Sequence, residues 1–511
     1  MPTLSLILWL PLFGAAFIAC VPDARHRLIR GIALFHSAAT LLLSFGLLAG
    51  FDPGLIEPQF GEHAPWNPAL GSGYTLGVDG LSLPLVLLAA LLSFVAVLAS
   101  ASIRERVKGY HAWLLMLETG MLGVFLAQDW ALFFLFWEMT LIPLFFLIDR
   151  WGGARRHLAS LNFVLYTMGG AVFMLIALLM VFQSSPEHSA AMSSLLQAGR
   201  ALDRDTQILV FVGLLIGFGV KLPIFPLHGW LPLAHVEAPS PVSILLSGAL
   251  LKMGGYGILR ACQMLPDAAL ALQPVLAGLA LFSLIYGGLL AWRQSDLKAM
   301  IAYSSVSHMG IVLLGIATLN PAGLAGAMLQ SLAHGLVAGA MFLLVGLLYE
   351  RTHTREIADY SSLIHTMPRF AVFTTLVFLA SMGLPGTIGF VAELHALIGG
   401  FQQWGWWMLV TSAGVLISAA YALRTIERLF TGPVRPEMRG IPDLQPREWL
   451  AAGTLVGGIA GLGIMPDPAL ELSGETTTRM GAYFAAHKVQ TVASANAAPP
   501  DPRDSAARAA P

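Results

Sequence analysis

Long apolar runs alternate with short polar interruptions along most of the chain. A helix needs about 20 predominantly apolar residues to span the hydrocarbon of a bilayer. Fourteen such runs lie near residues 3–21, 28–49, 79–101, 110–127, 130–149, 159–183, 207–226, 239–262, 273–292, 299–317, 324–348, 370–400, 405–430 and 447–466. The pattern predicts an all-α integral membrane protein with about fourteen transmembrane helices. The first run, Leu4 to Val21, lacks a basic leading segment and a small-residue cleavage site, so it reads as a membrane helix rather than a cleaved signal. The run at 370–400 is too long for one plain helix and contains SMGLPGTIGF, which predicts a break near Pro385. Helix 7 is expected to break near Pro223 for the same reason: proline has no N–H to donate and its ring clashes with the preceding turn.

Basic residues set the expected orientation. They follow helix 1 (Arg25, Arg27, Arg30), helix 3 (Arg104, Arg106, Lys108) and helix 5 (Arg150, Arg155, Arg156). They follow helix 9 (Arg293, Lys298), helix 11 (Arg351, Arg355, Arg369) and helix 13 (Arg424, Arg428, Arg435, Arg439, Arg447). The opposite side carries Arg200, Arg204 and Arg260 before the tail. Odd-helix exits are therefore expected in the cytoplasm, with both termini periplasmic in a bacterial inner membrane. The loop 50–78 has four prolines and no Lys or Arg, and reads as an ordered or semi-ordered outer loop. Residues 467–511 read as a partly disordered tail, Ala- and Pro-rich from about Lys488.

Two sets of five helices repeat at a spacing of 162–169 residues. Gln128-Asp129 matches Ser295-Asp296, and the GAVF of Gly170–Phe173 matches the GAMF of Gly339–Phe342. Leu222-Pro223 matches Leu384-Pro385, and Tyr256 with Arg260 resembles Tyr421 with Arg424. Five is odd, so the two units must sit upside down relative to each other. The expected division is 1–109 for helices 1–3 with the outer loop, 110–262 for the first unit, 273–430 for the second, then helix 14 at 447–466 and the tail. Inverted repeats with a broken helix in each are a transporter architecture, with polar sites near mid-membrane.

Composition agrees with burial in lipid. Hydrophobic residues make up 56% of the 511 and charged residues only 11%, against about 25% charged in a soluble domain. The formal net charge of −1 says nothing about partners, and no nucleic acid is expected among them. Two distant cysteines, Cys20 and Cys262, exclude a cysteine-ligated iron–sulfur cluster and a disulfide framework. Neither a GxGxxG fingerprint after a strand nor a Walker loop is present, so nucleotide binding has no support.

Against this apolar background the ionisable residues stand out. Insertion scales put the cost of a charged side chain at mid-bilayer at roughly 2.5–3.5 kcal/mol, which makes such groups functional candidates by default. Lys221 sits next to the first break and Lys252 about fourteen residues into helix 8. Snorkelling explains many lysines at helix ends, but thirteen apolar or Gly-rich residues from Ile208 precede Lys221 and Leu-Pro follows it, which favours a functional amine; snorkelling is harder still for Lys252, which reads as a relay amine. Glu138 lies mid-span in LFFLFWEMTLIPLFFLI, either as a hydrogen-bonded structural acid or as a partner of Lys221. A Glu138–Lys221 pair would act as a switch, charged when joined and neutral when parted. Glu393 follows the second break, as an interfacial acid or as the acidic counterpart of Lys221 in the second unit.

His308 and His334 lie in adjacent apolar spans. Each alone reads as a structural histidine; together, between Lys252 and Glu393 in chain order, they suggest a proton relay, since imidazole takes a proton on one nitrogen and gives it from the other. His228 and His235 flank the turn after Lys221 and could line a cytoplasmic intake; their spacing across Pro232 is a poor metal pattern. Glu118 in LLMLETGMLG is a further candidate.

The stretches LFFLFWEMTLIPLFFLI, VKLPIFPLHGWLPLAHVEAPSPVSILLSGALLKMGGYGILR, SDLKAMIAYSSVSHMG and GLPGTIGFVAELHAL resemble the antiporter-like subunits of respiratory complex I, in particular the subunit M or chain-4 type. The likeness covers nearly all of the chain except the tail. It implies fourteen helices in two inverted units. It implies a proton channel at the equivalents of Glu138, Lys221, Lys252 and Glu393, with His308 and His334 on a central polar axis. It also implies partner membrane-arm subunits in a larger assembly, where flavin, iron–sulfur clusters and the quinone site belong; no cofactor is expected in this chain. The sequence departs from the family at AELHAL, where Gly-Glu-Phe or Ser-Glu-Phe is usual, so His395 raises a question about hydration beside Glu393. Cation/proton antiporter subunits and subunits of membrane hydrogenases, formate hydrogenlyase or carbon-uptake complexes share this resemblance and stand as alternatives.

Overall fold

The computed structural model describes residues 2–496. Its first helices follow the apolar runs: α1 (Thr3–Cys20) and α2 (His26–Gly46) pack side by side. The outer loop is a β-hairpin. Strand β1 (Gln59–Asn67) pairs antiparallel with β2 (Ser72–Val78), in the register His63↔Thr75 and Ala64↔Tyr74. Gly71 turns it at φ +50°, where a Cβ would come within 2.7 Å of the His188 carbonyl oxygen, so only glycine fits. Glu62 ties the hairpin to α1 by accepting the Leu4 N–H at 2.7 Å.

The chain then enters α3 (Leu83–Ala99) and α4 (Val107–Leu126). One span consists of α5 (Trp130–Met139) and α6 (Leu141–Trp151), joined at Thr140. Pro143 lies just beyond the joint and cannot donate to the Met139 carbonyl, which weakens the helix there. Next come α7 (Arg156–Ser184), the short amphipathic α8 (Met192–Ala201), and α9 (Arg204–Lys221). Asp203 caps α9, its Oδ1 accepting from the Thr206 N–H at 3.0 Å. After the break come α10 (Trp230–Glu237) and α11 (Ser240–Leu245), a π-helical stretch over Leu246–Leu250, and α12 (Leu251–Met264).

The second half runs through α13 (Pro266–Ala271), α14 (Gln273–Arg293), α15 (Leu297–Thr318) and α16 (Pro321–Thr352). It continues through α17 (Leu363–Thr366), α18 (Pro368–Ser381), α19 (Ile388–Trp404), α20 (Val410–Phe430) and α21 (Pro446–Ile464). The expectation of a disordered tail is corrected over 467–496. These residues form α22 (Asp467–Asn496), bent 66° from α21. Pro466 and Pro468 stop one helix and start the next; α22 then buries Met480 and Phe484 among small polar residues. Its mixed composition hid it from a search for apolar runs. The rest of the tail, 497–511, lies outside the described residues.

Ten helices among the described residues are long and apolar enough to cross a membrane, or eleven if the bent α21–α22 pair forms one span. Other expected spans fall on α4, which carries Glu118, on α9, which is charged at both ends, and on α18, cut to 14 residues by the second break. Two layers organise the bundle. The spanning windows of α11–α12 and α16 are wholly buried, and that of α15 nearly so. Around them, α2, α7 and α14 turn residues such as Phe35, Leu165 and Phe282 outward, as lipid-facing helices do.

The repeat is visible in backbone pairing. Asp129 bridges antiparallel to Ala191, and Asp296 bridges in the same manner to Glu356. Both aspartates cap the helix that follows, accepting from Leu132 N at 3.0 Å and from Ala299 N at 3.0 Å. Asp129 also accepts from Ser72 of the hairpin. Asp296 instead pairs with Arg355 at 3.1 Å, on the face where Lys298 meets the Ala238 carbonyl. The same local structure thus stands on opposite faces of the bundle, as inversion requires.

Candidate functional site

Both expected breaks are present. α9 ends at Lys221, and residues 222–229 turn without helix before α10. The carbonyl of Val220, left without its helical donor, accepts from the indole N–H of Trp230 at 2.9 Å. The second break separates α18 from α19, with Gly383 at φ +76° and Gly386 at φ +91°. A Cβ on Gly383 would stand 2.5 Å from Oε2 of Glu393. The broken backbone therefore lies directly against that acid, and Gly383 leaves it room.

Lys221 is 3% exposed. Its ammonium donates to Thr140 Oγ1 at 2.9 Å and to the Trp137 carbonyl at 3.3 Å, and it lies 4.2 Å from the centre of the Trp137 ring. The joint between α5 and α6 thus forms a neutral cradle for the amine. Glu138, between Trp137 and Thr140 on the same segment, is half-buried and makes no direct ion pair with Lys221. The structure brings the two into neighbouring positions but interposes Thr140 as the amine's contact.

Lys252 is 1% exposed. Its ammonium donates to the Ser247 carbonyl at 2.6 Å and meets Nδ1 of His334 at 2.6 Å. The π-helical stretch explains the first contact: one extra residue in the turn disturbs the helical ladder and presents the Ser247 carbonyl to the amine. For the second, neutral His334 must accept on Nδ1 and carry its proton on Nε2. Ser247 Oγ also meets Ser305 Oγ at 3.1 Å, tying the stretch to α15.

From His334 the line continues to Glu393. The His308 and His334 rings are 5.6 Å apart between centroids. His308 Nδ1 lies 3.8 Å from Glu393 Oε1 and 3.4 Å from the amide nitrogen of Gln330. These four residues, with Ser381, border a void of ≈ 10 Å³, about the space one water requires. Lys252, His334, His308 and Glu393 are all under 8% exposed and come from α12, α16, α15 and α19.

His235 is more central than its place in the turn suggested. It is fully buried and stacked on Phe342 at 4.5 Å, with both ring nitrogens unpaired. His228 lies at the break against Phe225 and Tyr286, with its Nδ1 unpaired. His395 is half-buried and turned back on its own helix, meeting the Val391 carbonyl at 2.8 Å, away from Glu393. Glu118 stands apart from this line, buried in α4.

Sequence reasoning missed Thr140, Gln330 and the Ser247 carbonyl, because small polar residues in apolar helices are common and carry no periodic signal. It also placed Lys298 in a cytoplasmic loop. The structure buries this lysine at the start of α15, its amine on the Ala238 carbonyl at 2.9 Å. Its spacing from the capping Asp296, two residues earlier, was the available clue.

Two broken helices in inverted units, with protonatable side chains threaded through the buried helices between them, define an antiporter-like membrane protein. The chain belongs to the family described as NADH:quinone oxidoreductase/Mrp antiporter, TM, which matches residues 127–418. It is 42% identical over 498 residues to NAD(P)H-quinone oxidoreductase chain 4 2 of Thermosynechococcus vestitus, covering 94% of this chain and 92% of that protein. It is 39% identical over 492 residues to NADH-quinone oxidoreductase subunit M of Rhodobacter capsulatus, covering 93% and 96%. Its fold is similar to a chain of respiratory complex I from Thermus thermophilus with bound NADH. That match has a TM-score of 0.85 at 31% identity, over 94% of this chain and 99% of that one.

Proposed function

We propose that this chain is the proton-translocating, antiporter-like membrane subunit of a complex I-type NAD(P)H:quinone oxidoreductase. The observation that carries the reading is the line Lys252–His334–His308–Glu393, which spans four helices and is buried throughout. Its length-wide similarity to chain 4 and subunit M proteins favours this role over that of a cation/proton antiporter subunit, although one family holds both. The frame is fourteen spans in two inverted units, 110–262 and 273–430, in a bacterial inner membrane with both termini periplasmic. Flavin, iron–sulfur clusters and quinone reside in partner subunits, and this chain moves protons.

Protons enter from the cytoplasm near His228 and reach Lys221. They pass laterally through His235 and Lys252, then through His334 and His308, and leave by Glu393 to the outer side. Each amine or imidazole takes a proton from one neighbour and passes one to the next. Glu138 acts on Lys221 as a movable counter-charge. While Thr140 holds the amine, the carboxylate stands off, and its approach would retain a proton on Lys221.

The test is proton translocation by the reconstituted assembly. Lys221→Ala and Glu138→Ala should each abolish or sharply reduce pumping while the subunits still co-purify. Normal pumping by either variant would remove its residue from the path. Sodium-dependent pH changes in vesicles, with no quinone-reductase subunits co-purifying, would favour the antiporter reading instead.

A further inference from the structure

Glu118 is the buried acid that the path above does not use. It is 1% exposed in α4, and neither carboxyl oxygen has a hydrogen-bond partner. An ionised carboxylate without a partner in an apolar interior is costly, so at rest the group is held as the neutral acid.

Its depth can be read from its neighbours. α4 and α12 both end at the hairpin, where Gln128 N–H donates to Thr75 and Arg260 pairs with Asp79. They therefore run in the same direction, and Phe125 of α4 packs edge-on against Tyr256 of α12 at 5.7 Å. Seven residues, about 10 Å of helix, separate Phe125 from Glu118 and likewise Tyr256 from Ala249. Glu118 thus lies at the depth of the π-helical stretch that holds Lys252.

Unpaired hydroxyls from three helices come to the same depth. Leu92 of α3 fills the space at Gly248, placing Ser93 there, and the Ser93 hydroxyl has no partner. His36 of α2 and Leu115 of α4 both lie against Gly14, so Thr40, one turn beyond His36, comes level with Glu118 and Thr119. The hydroxyls of Thr40 and Thr119 are also buried and unpaired. Two turns below Glu118 on the same face of α4, on the side away from the hairpin, is the buried His111.

We propose that Glu118 is a further proton-carrying residue of this chain, feeding Lys252 by a branch that bypasses Lys221. Once Lys252 has passed its proton to His334, the acid gives its own through the neighbouring hydroxyls to the neutral Lys252 amine. Carboxylate and ammonium form together, so the bundle gains no net charge. A proton arriving by way of His111 restores the acid. The inference rests on Lys252 belonging to the path, but the protonation state of Glu118 can be read independently of that path.

The experiment compares the reconstituted assembly carrying wild-type chain, Glu118→Gln and Glu118→Asp. Gln keeps the shape and can hydrogen-bond but cannot release a proton, so a merely structural role would leave pumping unchanged. The expected result is loss of one carboxylic-acid C=O infrared band in the Gln variant, with pumping reduced to the share that the Lys221 route still feeds, and return of both in the Asp variant. Unaltered pumping in Glu118→Gln overturns the proposal, as does an unchanged carboxylic-acid spectrum, whatever Lys221→Ala shows. Should the Gln variant fail to assemble, the wild-type assembly is treated with a hydrophobic carbodiimide, which modifies protonated carboxyls. An adduct mapped to Glu118 by mass spectrometry supports the proposal; an unmodified Glu118 beside a modified Glu393 overturns it.

Discussion

Thr140 shows how a single hydroxyl can set the behaviour of a buried charge. It accepts from Lys221 at 2.9 Å and itself donates to the Trp137 carbonyl at 2.8 Å. A hydrogen bond to a charged group contributes roughly 1.5–3 kcal/mol, enough to compete with a carboxylate two residues away. Thr140→Val keeps the shape and removes the acceptor. Lys221 should then turn to Glu138 and become trapped as an ion pair, slowing proton transfer on the order of tenfold or more, as 1.4 kcal/mol or above implies. Thr140→Ser should retain the wild-type rate. Single-turnover proton uptake by vesicles measures both, and equal rates in Val and Ser variants would dismiss the cradle. The charged members of the site were legible in sequence because lysine and glutamate in an apolar run are costly. Their neutral partners were not, since a threonine or a backbone carbonyl looks the same whether or not an amine rests on it.

The broken helices divide the same way between what the sequence announces and what only packing decides. Leu222-Pro223 and Leu384-Pro385 announce the breaks, because proline cannot continue the ladder. Nothing local announces what repairs them. The Val220 carbonyl is completed by Trp230, ten residues on, through a 2.9 Å bond. Trp230→Phe fills most of the same space without the donor. Leaving a buried acceptor unsatisfied costs about 1–3 kcal/mol, so the variant should unfold earlier in detergent and show faster amide exchange across 218–230. Unchanged exchange there would mean that the break is held by other contacts. The π-helical stretch is the opposite case: Ser247 and Gly248 carry no sequence signal, yet they aim Lys252 at His334. The hairpin escaped as well, because its alternation is masked by prolines and irregular register.

Across the whole bundle, α22 ties together parts that the sequence left separate. Its Thr476 meets Gly80 at the start of α3, its Gly481 lies against Pro321 at the start of α16, and His487 pairs with Asp267 at 2.8 Å. A Cβ on Gly481 would sit 2.4 Å from the Pro321 ring. Gly481→Val should therefore lift α22 off that face at a cost of roughly 1–3 kcal/mol, the usual penalty of overpacking. Protease sensitivity within α22 and the melting temperature of the purified chain would report it; wild-type values for both would show that α22 is a passenger. The arrangement of Asp129 and Asp296 carries a broader consequence. Five is an odd number of spans, so a repeat of that length presents its second copy upside down, and one recipe for a helix cap serves both faces. If the chain conducts protons as proposed, one cut between the copies should conduct nothing until its halves are rejoined.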